Sequence, residues 1–104
     1  MIHPLHLLDS VPEIKAAEKV FRAIDHPLRK RILRLLDAKK DTTVTDIFVH
    51  LRIEQSVASH HLKILRDSKL VETERHGKSI IYKPEYANIL KLERIMGEIA
   101  ATFR

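Results

Sequence analysis

The apolar positions of this 104-residue chain follow a helical period over most of its length and switch once to strict alternation. Near the start, Ile14, Ala17, Phe21 and Ile24 step by three, four and three, the spacing of one helix face. Ser10 followed by Glu13 has the capping-box pattern that opens such a helix. Asp25-His26-Pro27 restarts the chain, with Pro27 suited to a first helical turn. The second helix then turns Leu28, Ile32, Leu35 and Leu36 inward and Arg29, Lys30 and Arg34 outward. After a loop at Lys39-Lys40-Asp41-Thr42, Thr45 is placed to cap a short third helix carrying Ile47, Phe48 and Leu51. Arg52-Ile53-Glu54 predicts a tight turn, and a fourth helix follows from Gln55 to about Ser68.

The period then shortens to two. Leu70 to Arg75 alternates, His76-Gly77-Lys78 is a turn in which Gly77 supplies a positive φ, and Ser79 to Lys83 returns as a second strand. Pro84 ends that strand, and a last helix from Glu85 carries Ile89, Leu92, Met96, Ile99 and Phe103. Gly97, in mid-helix, costs about 1 kcal/mol against alanine and points to a close helix approach. The expected order is α-α-α-α-β-β-α, a mainly α domain with a β-hairpin wing, and the length leaves room for one domain. Residues 1–9 read as a flexible tail, 10–25 and 85–104 as the outer helices (the dimerisation helices that the family resemblance below implies), 45–68 as a helix-turn-helix and 70–83 as the wing.

Charge sharpens this picture. The formal charge is +5, yet residues 26–40 alone sum to +5 and residues 60–83 to +3, so the remainder is acidic. Such clustering favours a polyanionic partner. The fourth helix divides into an inward stripe, Ala58, His61, Leu62 and Leu65, and an outward one, Gln55, Ser56, Ser59, His60, Lys63 and Arg66, with no acid in it. Two short helices joined by a turn of this length form a DNA-reading unit whose second helix enters the major groove. Gln55, Ser56, Ser59 and His60 are the expected base-reading residues, because short polar side chains at the N-terminal end can reach base edges. Lys63 and Arg66, with Arg75, His76 and Lys78 of the wing, are expected on phosphates.

Ala23 to Leu33, AIDHPLRKRIL, resembles the second-helix signature A-L-x-D/H-P-x-R-x-x-I-L of the ArsR family of bacterial repressors. Gln55 to Leu65, QSVASHHLKIL, is similar to that family's recognition helix, Q-S-x-x-S-x-H-L-x-x-L, and Leu70-Val71 with a basic hairpin ending in Tyr82 is similar to its wing. The resemblance spans about residues 15–100. It implies a winged-helix homodimer, built on the first and last helices, that represses a promoter through an imperfect palindrome. Ile14, Ala17, Phe21, Ile89, Leu92, Met96, Ile99 and Phe103 are then the expected dimer contacts. Glu54 departs from the family pattern, standing where a capping Ser or Thr is usual.

The resemblance also raises metal sensing, which the residues do not support. The family's thiolate motif C-V-C-D-L is matched here by Thr43-Val44-Thr45-Asp46-Ile47, and a hydroxyl is a poor ligand for soft ions. The other usual site draws Asp and His from the last helix, where this chain offers only Glu85, Glu93 and Glu98. No cysteine is present, so thiol redox sensing is excluded as well. An N-terminal amine with His3, and His6 and Asp9 nearby, leaves a minor copper or nickel candidate in a chain otherwise read as binding no metal and no cofactor. His26, His50, His61 and His76 read as cap, surface and core residues rather than ligands.

No glycine-rich phosphate loop and no clustered acid pair supports catalysis, so an enzyme is not expected. The start lacks a signal-peptide pattern and no stretch nears the about 20 apolar residues of a membrane span, which favours a cytoplasmic protein. Two functions remain: a regulator binding double-stranded DNA as a homodimer, with an unknown inducing signal, or a winged-helix protein-interaction module without DNA binding. The acid-free face of the fourth helix favours the first.

Overall fold

The computed structural model describes residues 12–102. Its elements are α1 (Pro12–Ile24), α2 (Pro27–Ala38), α3 (Val44–Leu51), α4 (Gln55–Asp67), β1 (Val71–His76), β2 (Ser79–Pro84) and α5 (Tyr86–Thr102), in the order expected. The proposed cap at Ser10, the terminal donors His3, His6 and Asp9, and Phe103 lie outside the described residues.

Local chemistry sets each boundary. α2 starts at Pro27 behind His26, whose Nδ1 accepts from the Leu28 N–H at 3.1 Å. α3 is capped by Thr43, not by Thr45. The Thr43 hydroxyl accepts from the Asp46 N–H at 3.2 Å, and the Asp46 carboxylate accepts from the Thr43 N–H at 3.0 Å. The reason is reciprocity: three residues beyond Thr43 stands a carboxylate, whereas three beyond Thr45 stands Phe48, which cannot return a bond. The Thr43 N–H, assisted by Lys39 at 3.2 Å, holds the Asp46 carboxyl below its ordinary value. Thr43→Ala is therefore expected to cost about 1 kcal/mol in urea unfolding, against less than about 0.5 for the exposed Thr45→Ala.

α3 and α4 both end with a residue in the left-handed region, Arg52 at φ 56° and Lys69 at φ 63°. In each case the paired bonds of a Schellman end are made, Ile53 to Phe48 with Arg52 to Val49, and Leu70 to Leu65 with Lys69 to Arg66. The first of these ends forms the three-residue corner between α3 and α4.

The core lies where α2, α3 and α4 meet, around Ile32, Ile47, Leu62 and Leu65, all essentially inaccessible. Ala23 closes it from α1, and Leu70 and Val71 from the root of the hairpin. β1 and β2 pair antiparallel from Val71 opposite Pro84 to His76 opposite Ser79, with Gly77 at φ 61° in the turn. Thr42, expected in a loop, is fully buried, and its carbonyl accepts from the Tyr82 N–H at 2.8 Å. This isolated bridge puts a one-residue third strand on the free edge of β2. No period announces a single residue, so the sequence pattern carries no sign of it.

The outer helices differ in part from the expected stripes. Within the protomer α5 buries Ile95, half-buries Ile89 and Leu92, and leaves Met96 and Leu90 exposed. Phe21 is also exposed on α1. A Cβ added to Gly97 would meet nothing within 4 Å, so no close helix approach occurs there inside the protomer. No helix among the described residues is long and apolar enough to cross a membrane.

Candidate nucleic-acid interface

α4 begins without a side-chain cap. Glu54 occupies the N-cap position in extended backbone and makes no capping bond. The first-turn N–H groups of α4 therefore have no side-chain acceptor, at the end of the helix that carries positive partial charge. The inward stripe is as expected: Ala58, His61, Leu62 and Leu65 are the buried residues. Gln55, Ser56, Ser59, His60, Lys63 and Arg66 are all exposed. Among the described residues, no side-chain hydrogen bond or ion pair engages Gln55, Ser56, Ser59, Lys63 or Arg66. These groups are free to bond a ligand without first breaking a bond of their own, while the His60 ring meets His61 edge-on at 5.2 Å.

The far end of α4 is held from two sides. Lys19 of α1 donates to the Asp67 carbonyl at 3.2 Å, and Asn88 of α5 donates to the Lys69 carbonyl at 2.9 Å. A cation at a helix C-terminus is favourably placed against the helix dipole. Ser68 closes the last turn by donating to Ile64 and Leu65.

The wing is less basic than its sequence suggests. Glu74 bonds Lys83 across the strands and His76 along its own strand, at 2.9 Å in the second case. The Lys83 bond, then the His76 bond, draws the Glu74 carboxyl below its ordinary value. Arg75 donates through Nε to the Gly77 carbonyl at 3.1 Å, which leaves its terminal nitrogens outward, and Lys78 is exposed without a partner among the described residues. Of the three wing residues expected on phosphates, Arg75 and Lys78 are available and His76 is engaged.

Arg29 is the clearest correction. Expected on the outward face of α2, it turns inward and is half-buried. Its guanidinium donates to the carbonyls of Ala23 and Arg22, the second at 3.3 Å, and lies 3.2 Å from the His61 Nδ1. Three acceptors compensate the partial loss of water, an outcome the helical period of α2 does not report. Lys30, Arg31 and Arg34 remain exposed on α2, a different helix from the free basic residues of α4.

The stretch that matches the thiolate motif has another task here, since Thr43 and Asp46 form the α3 capping box. Among the described residues, no three His, Cys, Asp or Glu side chains are grouped so as to hold a metal.

A helix whose exposed face is acid-free from Gln55 to Arg66, delivered by a three-residue corner and flanked by an antiparallel hairpin, defines a winged helix-turn-helix DNA-binding module. The pattern described as "Bacterial regulatory protein, arsR family" matches residues 26–73. The transcriptional repressor SdpR of Bacillus subtilis is 41% identical over 63 residues, covering 61% of this chain and 69% of that protein. An ArsR-like transcriptional regulator from Rhodococcus superposes with a TM-score of 0.84 at 25% identity, over 89% of this chain and 87% of the other. A homodimeric winged helix-turn-helix DNA-binding domain from Mycobacterium bovis shares the fold, with a TM-score of 0.71 at 22% identity over 97% and 91% of the two chains. The chain belongs to the ArsR family of bacterial regulatory proteins, and its work is DNA-binding transcriptional regulation rather than catalysis.

Proposed function

We propose that the chain is a homodimeric, cytoplasmic repressor that sets α4 of each protomer into successive major grooves of an imperfect palindrome. The observation that carries this reading is the exposed face of α4, free of acids and of internal bonds from Gln55 to Arg66. Gln55 suits a bidentate contact to adenine, Ser56 and Ser59 can donate to or accept from any base edge, and His60 completes the reading group. Lys63 and Arg66, farther along the helix, and Arg75 and Lys78 of the wing hold phosphates and so set register.

Pairing through α1 and α5 is supported by the exposed apolar Phe21 and Met96 and by the homodimeric state of the M. bovis domain. Ile89 and Leu92 are half-buried and would complete the same seam; the side chains of Ile14, Ala17 and Ile99 lie outside the described residues. The inducing signal is neither a thiol switch nor a thiolate metal site, because the chain has no cysteine.

The test is selection of bound duplexes from a random pool, followed by affinity measurements on the winner. Affinity should fall steeply between about 50 and 200 mM salt, with two protomers per duplex by sedimentation. Lys63→Ala should weaken binding similarly on all duplexes and reduce the salt slope by about one. A chain that enriches no duplex, or binds without salt dependence, is not acting in this way.

A further inference from the structure

The signal that governs DNA binding is the open part of this reading, and the core face of α4 holds a group able to receive one. His61 lies on the reading helix between the exposed His60 and the core residue Leu62, and is itself buried. Its Nδ1 is 3.2 Å from the Arg29 guanidinium. Arginine has only donors, so Nδ1 must be the unprotonated acceptor and the ring proton sits on Nε2. The same guanidinium bonds the last carbonyls of α1. Arg29 thus joins the C-terminal end of one helix of the dimer face to the middle of the reading helix. We propose that the Arg29–His61 contact is a proton-operated latch: protonation of His61 breaks it, loosens α4 from α1 and α2, and lowers the affinity for DNA.

The surroundings of His61 decide the direction. From α2 and its cap, Arg29 and His26 face it, the His26 ring centre lying 4.6 Å away. From its own helix His60 faces it, and from α1 come the Arg29-bound carbonyls. Among the described residues, the titratable and charged groups that act on the ring are His26, Arg29 and His60, with no carboxylate among them to neutralise an imidazolium. A proton on Nδ1 would both remove the acceptor that Arg29 uses and set a second cation against it. Burial first, and then these neighbours, keep His61 below the ordinary imidazole value. The folded protein therefore binds fewer protons at this site than the unfolded chain. The stability it contributes is complete above the unfolded value of 6.5 and is lost as pH falls below it. If DNA selects the latched state, affinity falls with acidification by at most about tenfold per pH unit.

The latch rests on the DNA-binding reading above, and one experiment separates the two. Affinity for the selected duplex is measured at about pH 7.5 and 5.5 at fixed salt, a range that spans imidazole titration. The wild type, His61→Gln and the exposed control His50→Gln are compared. Gln can still accept from Arg29 and does not titrate. The expected result is a loss of more than about twofold but less than about tenfold for the wild type and His50→Gln, because the folded His61 lies below the ordinary imidazole value, and less than about twofold for His61→Gln. No loss in the wild type, or an equal loss in His61→Gln, overturns the latch. Should that variant fail to fold, NMR titration of the wild-type His61 ring decides: its pKa should drop further when DNA binds, and an unchanged pKa overturns the proposal. Absence of binding at the higher pH would overturn the DNA reading and the latch with it.

Discussion

Ser59→Tyr should lower affinity for the selected duplex at least about a hundredfold while leaving thermal melting and assembly unchanged. Ser59 stands on the exposed face of α4, one residue beyond the buried Ala58, and engages no internal partner. A phenol there would have to occupy space that a base edge takes in the docked complex, which removes base contacts worth about 1–3 kcal/mol each and holds the helix out of the groove. Nonspecific attraction should survive, because Lys63, Arg66, Arg75 and Lys78, which the proposed docking assigns to phosphates, are untouched. The measurement is a pair of titrations, selected against scrambled duplex, at one salt concentration. If the variant still discriminates between them as the wild type does, Ser59 does not face a base.

Leu62→Ala is the converse case, a change on the opposite side of the same helix that should act on stability. Leu62 is 1% exposed and packs in the central cluster with Ile32, Ile47 and Leu65. Truncation of a leucine at such a site costs about 2–5 kcal/mol through lost transfer energy and the cavity left behind. For a domain of this size an intermediate loss of about 3 kcal/mol lowers the melting midpoint by about 12–24 °C. The comparison must be made at equal protein concentration, since assembly feeds into the midpoint. Lys63→Ala, one residue on and fully outside the core, should leave the midpoint within a few degrees. A small shift for Leu62→Ala would mean that the core around α4 can collapse into the vacated space.

These two residues also show why the two faces of α4 were legible in the sequence. An amphipathic helix reports its faces through its period, so the division of α4 into Ala58, His61, Leu62 and Leu65 against Gln55, Ser56, Ser59 and Lys63 could be read directly. The hairpin was equally open to reading, because its alternation and Gly77 are local signals. What stayed hidden depends on residues far apart in the chain. Arg29 looks like any outward cation until Ala23, Arg22 and His61 are placed around it. Glu74 looks like an ordinary strand residue until the hairpin register brings Lys83 diagonally within reach of it. Thr42 becomes a strand position only because Tyr82 needs an acceptor on its free edge. On α5 the apolar residues surround more than one side of the helix. The period therefore admitted a stripe through Met96, whereas the protomer buries Ile95.

The attachment of α4 gives the fold a mechanical asymmetry. Its 13 residues make a rod about 20 Å long, held at its middle by Arg29 on His61 and, at and just past its C-terminal end, by the Lys19 and Asn88 side chains. Gln55 and Ser56 sit at the other tip, beyond an N-cap that makes no side-chain bond. A tilt of about 5° about the His61 contact, roughly 9 Å from that tip, carries it by about 0.8 Å, a quarter of a hydrogen-bond length. In the proposed dimer, small adjustments at the α1–α5 seam would thus reach the tip assigned to the bases, and occupancy of the operator would change without any large rearrangement of the protein.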